Sequence, residues 1–289
     1  MVYLLHIMIM ISIYLILTLS INLLVGYLGL LSLSQAAFYG LGAYTTALLM
    51  IRFRIGFWGA LLLGIFFTSL VAFLIGRIFL VFKEDLFVLI TLGFQMIIFS
   101  ILYNWVDLTR GPYGLPNIPR PSFGGNELSQ LWSFSLLSVS IAGIVFFYFK
   151  IIDKSSFALY LKGLREDELA FISSGKNPTY YKSLVFAITG GSAAISGALY
   201  ASYVTYIDPT SFTLNESIFI LSVIMIGGTG NLRGPLAGTI LMITLPEALR
   251  FLGLPDTTAP NVREIIYGLI LVILMRLRPQ GILGEYIFD

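Results

Sequence analysis

The sequence predicts an all-α protein, a polytopic bundle of about eight to ten membrane segments, and three observations carry that expectation. Of its 289 residues, 57% are hydrophobic and only 11% are charged, with a mean hydropathy of +0.91. A soluble domain carries about 25% charged residues, so most of this surface must face something other than water. No residue from 1 to 51 is charged, a stretch long enough for two spans of roughly 20 residues each. Several later apolar runs also exceed the length of about 18 residues at which a spanning helix is the expected reading.

Interruptions by charge, Gly and Pro place the elements in order. The first span covers residues 2–24. It lacks a basic leader and runs on too far for a removable signal, so it is expected to stay as a span. Gly26 and Gly29 mark a turn, and the second segment runs to Met50, closed by Arg52 and Arg54. The third covers 55–76, ended by Arg77. Lys83, Glu84 and Asp85 precede a span over 86–106. Residues 107–127 are irregular, and Pro112, Pro116, Pro119 and Pro121 make them stiff, because proline restricts the backbone. Such a loop suits contact with a partner, the capping of a pathway or a plain structural role.

A span over 128–149 leads into a charged segment, 150–182, and a further span over 183–207. A short apolar stretch, 217–226, is broken at 227–235 and resumes over 236–252, which carries Glu247 and Arg250. A loop over 255–261 precedes a last apolar core, 265–275, flanked by Arg263 and Arg276, whose long side chains can snorkel. The total is about nine segments, in one domain over 1–289.

The glycine breaks at 26–29 and 227–235 are either interruptions near a pathway or tight turns at the surface, since irregular backbone in lipid must be buried in protein or line water. They echo each other at an offset of 201 residues, Gly26-Tyr-Leu-Gly29-Leu-Leu31 against Gly227-Gly-Thr-Gly230-Asn-Leu232. Interrupted helices in matching places are a mark of transporter repeats, although a chain rich in Gly and Leu also produces such a match by chance.

Orientation follows Lys and Arg. Lys150, Lys154, Lys162, Arg165, Lys176 and Lys182 assign 150–182 to the cytoplasm, and the tail with Arg276 and Arg278 with it. Counting back places 107–127 and the N-terminus outside. Arg52 and Arg54 then fall on the outer side, so either the second segment is not a simple span or the rule is overridden there.

Little enzymatic chemistry is available. There is no Cys and one His, His6, which reads as a span-end residue. No metal site is expected. Gly175-Lys176 lacks the earlier glycine of a phosphate-binding loop, and Asn177 stands where Ser or Thr would ligate magnesium. No cofactor is therefore expected in this chain, and any ATP would be bound by another. Neither H-E-x-x-H nor G-x-S-x-G occurs, so the chain is not expected to be an enzyme. A net charge of +2 gives no reason to expect a nucleic acid partner.

The charged segment is more informative. Residues 164–175 read as one short helix, with Glu166, Asp167 and Glu168 in a first turn that complements the helix dipole and Gly175 at a left-handed C-cap. Leu169, Ala170 and Ile172 are apolar with no lipid to enter. They form either a docking surface for a protein or the face of an amphipathic helix on the headgroups. Polar residues inside the spans are Asn22, Gln35, Thr91, Gln95 and Tyr200. Glu247 and Arg250 lie three apart and can pair on one helix face, either as a functional pair or at the membrane interface.

At four motifs the sequence resembles permease subunits of the branched-chain amino acid ABC importers, of the LivM type. These are the run from Gly26 to Tyr44, the run from Leu108 to Pro121 that contains Thr-Arg-Gly-Pro-Tyr-Gly, Arg165-Glu-Asp-Glu-Leu-Ala170 with Gly175 and Asn177, and Gly227-Gly-Thr-Gly-Asn-Leu-Arg-Gly-Pro235. They stand in family order and cover about residues 20–250. Ser34, Arg110, Lys176 and the stretch from Phe171 to Ser174 depart from the family pattern, which bears on the substrate and on the fit to the ATPase.

The resemblance implies a bacterial-type inner-membrane complex. It would comprise a second homologous permease, two ABC ATPases and an external amino-acid-binding protein. Arg165, Glu166, Asp167, Glu168, Ala170 and Gly175 would form the coupling helix seated in an ATPase. Branched-chain amino acids are the first expectation, and urea or a short amide the second. Gln35, Thr91 and Gln95 are candidates for the translocation pathway, being uncharged groups able to hydrogen-bond the ends of a zwitterion. An ion-coupled secondary transporter is a different class; it needs buried acids, for which only Glu247 is available in this reading. An intramembrane enzyme would need a nucleophile–base pair.

Overall fold

Helix α1 (Val2–Asn22) continues through a π turn at Leu23–Tyr27. Together they form 26 residues, about 39 Å at 1.5 Å per residue and longer than the roughly 30 Å hydrocarbon core. The chain then turns back into the bundle before α2 (Gln35–Arg52) begins. Next come α3 (Phe57–Phe79), α4 (Glu84–Asn104) and the single turn α5 (Val106–Thr109). Helix α6 is Leu131–Asp153, α7 Ser156–Glu166, α8 Glu168–Ser173 and α9 Pro178–Val204. Two short helices, α10 (Leu214–Gly227) and α11 (Arg233–Arg250), follow. This computed structural model describes residues 2–79, 84–123, 126–127, 130–250, 268–269, 272 and 281–284.

Among the described residues five helices, 2–27, 57–79, 86–104, 131–153 and 178–204, are long and apolar enough to cross a membrane. With α2, α10 and α11 they account for eight of about nine expected segments. The ninth, 265–275, lies outside the described residues except at 268–269 and 272, which are helical. The loop at 255–261 and the tail arginines Arg276 and Arg278 also lie outside them, as do the side chains of Glu247 and Arg250.

Small residues let the helices approach closely, as is usual where lipid supplies no hydrophobic drive between them. A Cβ on Gly42 would stand 2.2 Å from the Ala194 Cα, and one on Gly197 would stand 2.3 Å from the Tyr39 carbonyl oxygen. Thr189 donates to the Ser20 carbonyl at 3.2 Å and Ser196 to that of Ile13 at 3.2 Å, so α9 runs antiparallel to α1. The outer faces of α3 and α6 carry exposed Leu62, Phe66, Leu136, Ile144 and Phe147, the surface that lipid should cover.

Several boundaries differ from the sequence reading. Helix α9 starts at Pro178 rather than at 183, because the Asn177 side chain accepts from the Tyr180 amide and Pro178 occupies the first turn. It ends at Val204, where Thr205 adopts φ 61°. The chain leaves the helix as a short strand, Tyr206–Ile207, paired antiparallel with Leu115–Pro116 of the proline-rich loop. A second two-residue pair, Ser122–Phe123 with Asn126–Glu127, lies in the same loop.

The bundle has two distinct ends. One gathers the start of α1, the proline-rich loop and Arg52, which donates to the Asp107 carbonyl. The other gathers the end of α1, α7, α8, the break after α10 and residues 281–284, whose Ile282 and Leu283 amides bond the Ile226 and Gly227 carbonyls at 3.0 Å each. The expected opposition of 107–127 to 150–182 therefore holds as geometry, and residues 281–284 lie at the end away from the N-terminus.

Candidate functional site

The charged segment folds as two helices where the sequence reading has one. Helix α7 buries Ala158, Leu161 and Leu164, a spacing that puts one apolar face against the bundle. It stops at Glu166. Asp167 takes an extended conformation (φ −151°, ψ 101°), and its carboxylate accepts the Ala170 amide at 3.0 Å, capping α8. The acids therefore do not share a first turn. Glu166 closes one helix, Asp167 caps the next and Glu168 opens it.

Helix α8 is pinned by Phe171, which is buried with its ring edge-on to Tyr181 at 5.4 Å. A Lys182–Glu168 ion pair at 2.9 Å ties its start to α9. Lys176 lies 3.0 Å over the Tyr160 ring, and Gly175 leaves the helix at φ +77°, where an L side chain is strained. On the opposite face Leu169 is 77% and Ile172 50% exposed, beside exposed Glu166, Asp167, Glu168 and Ala170. The structure thus gathers five of the six sequence candidates on one projecting cap.

Arg165 turns the other way. Its guanidinium donates to the Gly26 carbonyl at 2.8 Å, and its stem lies on Gly29, whose φ is +72°. Nearby, Tyr27 donates to Asp153 and Lys162 lies 5.2 Å from the Tyr27 ring. The glycine echo becomes a contact here. A Cβ on Gly26 would sit 2.5 Å from the Gly230 nitrogen. Asn22 clamps the pair, accepting from the Gly230 amide at 3.1 Å and donating to the Asn231 carbonyl at 2.8 Å. Both breaks are buried in protein at the basic end, against one another.

The three pathway candidates converge around the start of α2. Gln35 donates to Ser20 at 2.5 Å, so α2 begins about 10 Å short of Tyr27, where the continuous first helix ends, at 1.5 Å per residue. The second segment is thus not a simple span. Thr91 accepts the Leu33 amide at 3.1 Å. Gln95 donates to the Phe212 carbonyl at 2.8 Å and accepts from Ser217 at 3.3 Å, while Ser217 accepts the Ala36 amide at 2.9 Å. All three are buried with protein partners, binding α1, α2, α4 and α10 at mid-depth. One neighbour was missed from sequence. Glu216, in the first turn of α10, accepts from Tyr14 at 2.6 Å. It borders the apolar run 217–226, and an acid there was the available signal.

A family profile described as the permease component of the branched-chain amino acid transport system matches residues 3–275. The chain belongs to this family. Among its relatives is the high-affinity branched-chain amino acid transport system permease protein LivM of Salmonella typhimurium, 31% identical over 95% of this chain and 68% of its own length. The LivM of Escherichia coli is also 31% identical, over 94% and 68%. A probable LivM of Methanocaldococcus jannaschii is 23% identical over 95% and 91%. No solved structure matches. Membership fixes the architecture as a multi-pass helical transport permease, and the four motifs that resemble the family all fall within the matched residues.

Proposed function

We propose that the chain is the permease subunit of an inner-membrane ABC importer for branched-chain amino acids, moved by ATPases that grip α8. The observation that carries this reading is the projecting cap, with Leu169 and Ile172 exposed beside three acids. An amphipathic helix on headgroups would favour Lys and Arg on its polar face, whereas here the polar positions beside the apolar pair are Glu166, Asp167 and Glu168. That charge suits a basic-rimmed protein groove better than an anionic membrane.

In this reading the basic end is cytoplasmic, in keeping with its lysines. A second homologous permease completes the pathway, two ATPases dock on the two α8 caps, and an external binding protein delivers the amino acid. ATP binding draws the caps together and the helices rock, alternating access. Relatives named for branched-chain amino acid transport support that substrate class over urea or an amide.

Leu169→Asp tests the docking. It places a charge on an exposed position and touches no described core contact. The expected result is normal insertion with loss of ATPase co-purification and of uptake into proteoliposomes. Unchanged co-purification and uptake would remove α8 from the interface.

A further inference from the structure

Glu216 has no role so far. Its depth is set by two independent gauges. Its carboxylate bonds Tyr14, near the middle of the 26 residues that run from Val2 to Tyr27. Its neighbour Ser217 bonds Gln95, near the middle of α4 (Glu84–Asn104). Glu216 therefore lies near the centre of the bundle's height. It is also partly exposed on the subunit surface, as are Tyr14, Phe219 and Tyr200 around it. The Tyr14 and Phe219 rings meet edge-on at 5.5 Å, and Tyr39 and Tyr200 stand within electrostatic reach of the carboxylate. Among the described residues no Lys, Arg or His lies within ion-pair distance of it.

A carboxylate at this depth cannot face hydrocarbon without a large cost, and intramembrane acids turn toward a cavity or a partner group instead. Tyr14 occupies one oxygen, and the partly exposed Phe219 and Tyr200 rings lie nearby. That arrangement fits a cation, since a carboxylate accepts its N–H groups while ring faces attract its charge. We infer that the Tyr14–Glu216–Phe219 patch lines the water-filled pathway, and that Glu216 receives the α-ammonium group of a passing zwitterionic amino acid. This rests on the transport reading above and adds to it the residue and the solute group that meet.

The native chain has no Cys, so single-cysteine labelling needs no background mutations. In membranes of cells that express the chain with its candidate partner subunits, Phe219→Cys should react with a charged, membrane-impermeant thiol reagent at least tenfold faster than Leu63→Cys or Leu89→Cys on exposed faces of α3 and α4. Met10→Cys, one turn from Tyr14, serves if the Phe219 variant fails to fold. Labelling of both as slow as the lipid-face controls would overturn the pathway assignment, whether or not ATPases bind.

In proteoliposomes with the binding protein saturated with leucine, Glu216→Gln should lower the translocation rate at least tenfold, with ATPase association and hydrolysis kept. Glu216→Asp should recover part of the rate. An unchanged rate in Glu216→Gln would overturn ammonium recognition. Failure of the unaltered chain to bind ATPases would instead count against the transport reading, and the labelling comparison would still decide the patch.

Discussion

Arg165→Met removes one hydrogen bond between the end of α7 and the glycine break while leaving the exposed face of α8 untouched. The guanidinium is partly buried and donates to the Gly26 carbonyl at 2.8 Å. Hydrogen bonds from a charged group contribute about 1.5–3 kcal/mol, and partial exposure argues for the lower end. Methionine keeps much of the stem that lies on Gly29, so the loss is mainly polar. A coupling loss of about 1.5 kcal/mol corresponds to roughly tenfold. The assay is leucine translocated per ATP hydrolysed in reconstituted complex, with ATPase co-purification as the control for assembly. Co-purification should persist and the ratio should fall about tenfold, with Arg165→Lys intermediate, because a lysine can restore charge but not the planar fork. An unchanged ratio would refute transmission through this contact.

Four further perturbations separate neighbouring roles. Gly26→Ala should destabilise the protein by about 1–3 kcal/mol through overpacking, read as a lower unfolding temperature in detergent, since its Cβ would meet Gly230 and Asn22 at 2.5 Å. Gly163→Ala, in α7 with nothing within 4 Å, should stabilise by about 0.5–1 kcal/mol from helix entropy, giving the opposite sign. Gln95→Leu should cost about 1–3 kcal/mol by stranding the Phe212 carbonyl and Ser217; a transport loss no larger than its stability loss would mark Gln95 as structural rather than pathway-lining. Gly175→Ala should cost about 1–2 kcal/mol at φ +77°, read as weaker ATPase co-purification through a loosened α8.

The spans were legible because lipid imposes a composition that no soluble core requires, and charges fall at their ends. Helix starts were legible only where a local signal exists. Asn177-Pro178 is such a signal, a capping side chain followed by a first-turn proline, yet a reading keyed to charge passed over it and began the span at Ser183. The division between α7 and α8 turns on Asp167, whose short side chain can either ride in a helix or cap the next one. Periodicity does not distinguish these, whereas the extended backbone at Asp167 and its bond to the Ala170 amide do.

The glycine repeat showed where the breaks fall but not that they touch, since contact between residues some 200 apart depends on tertiary packing. Arg165 was grouped with the acids beside it in sequence, and only the path of α7 over the end of α1 turns it inward. Glu216 went unnoticed because a window drawn around apolar residues ends where an acid begins.

Gly26 and Gly230 meet with no side chain between their backbones, and Asn22 bolts the joint. Close-packed surfaces of this kind move as one body. The two hairpins, α1 with α2 and α10 with α11, consequently form a single stiff yoke rather than two independent gates. Any motion that parts these hairpins must first break the Asn22 joint.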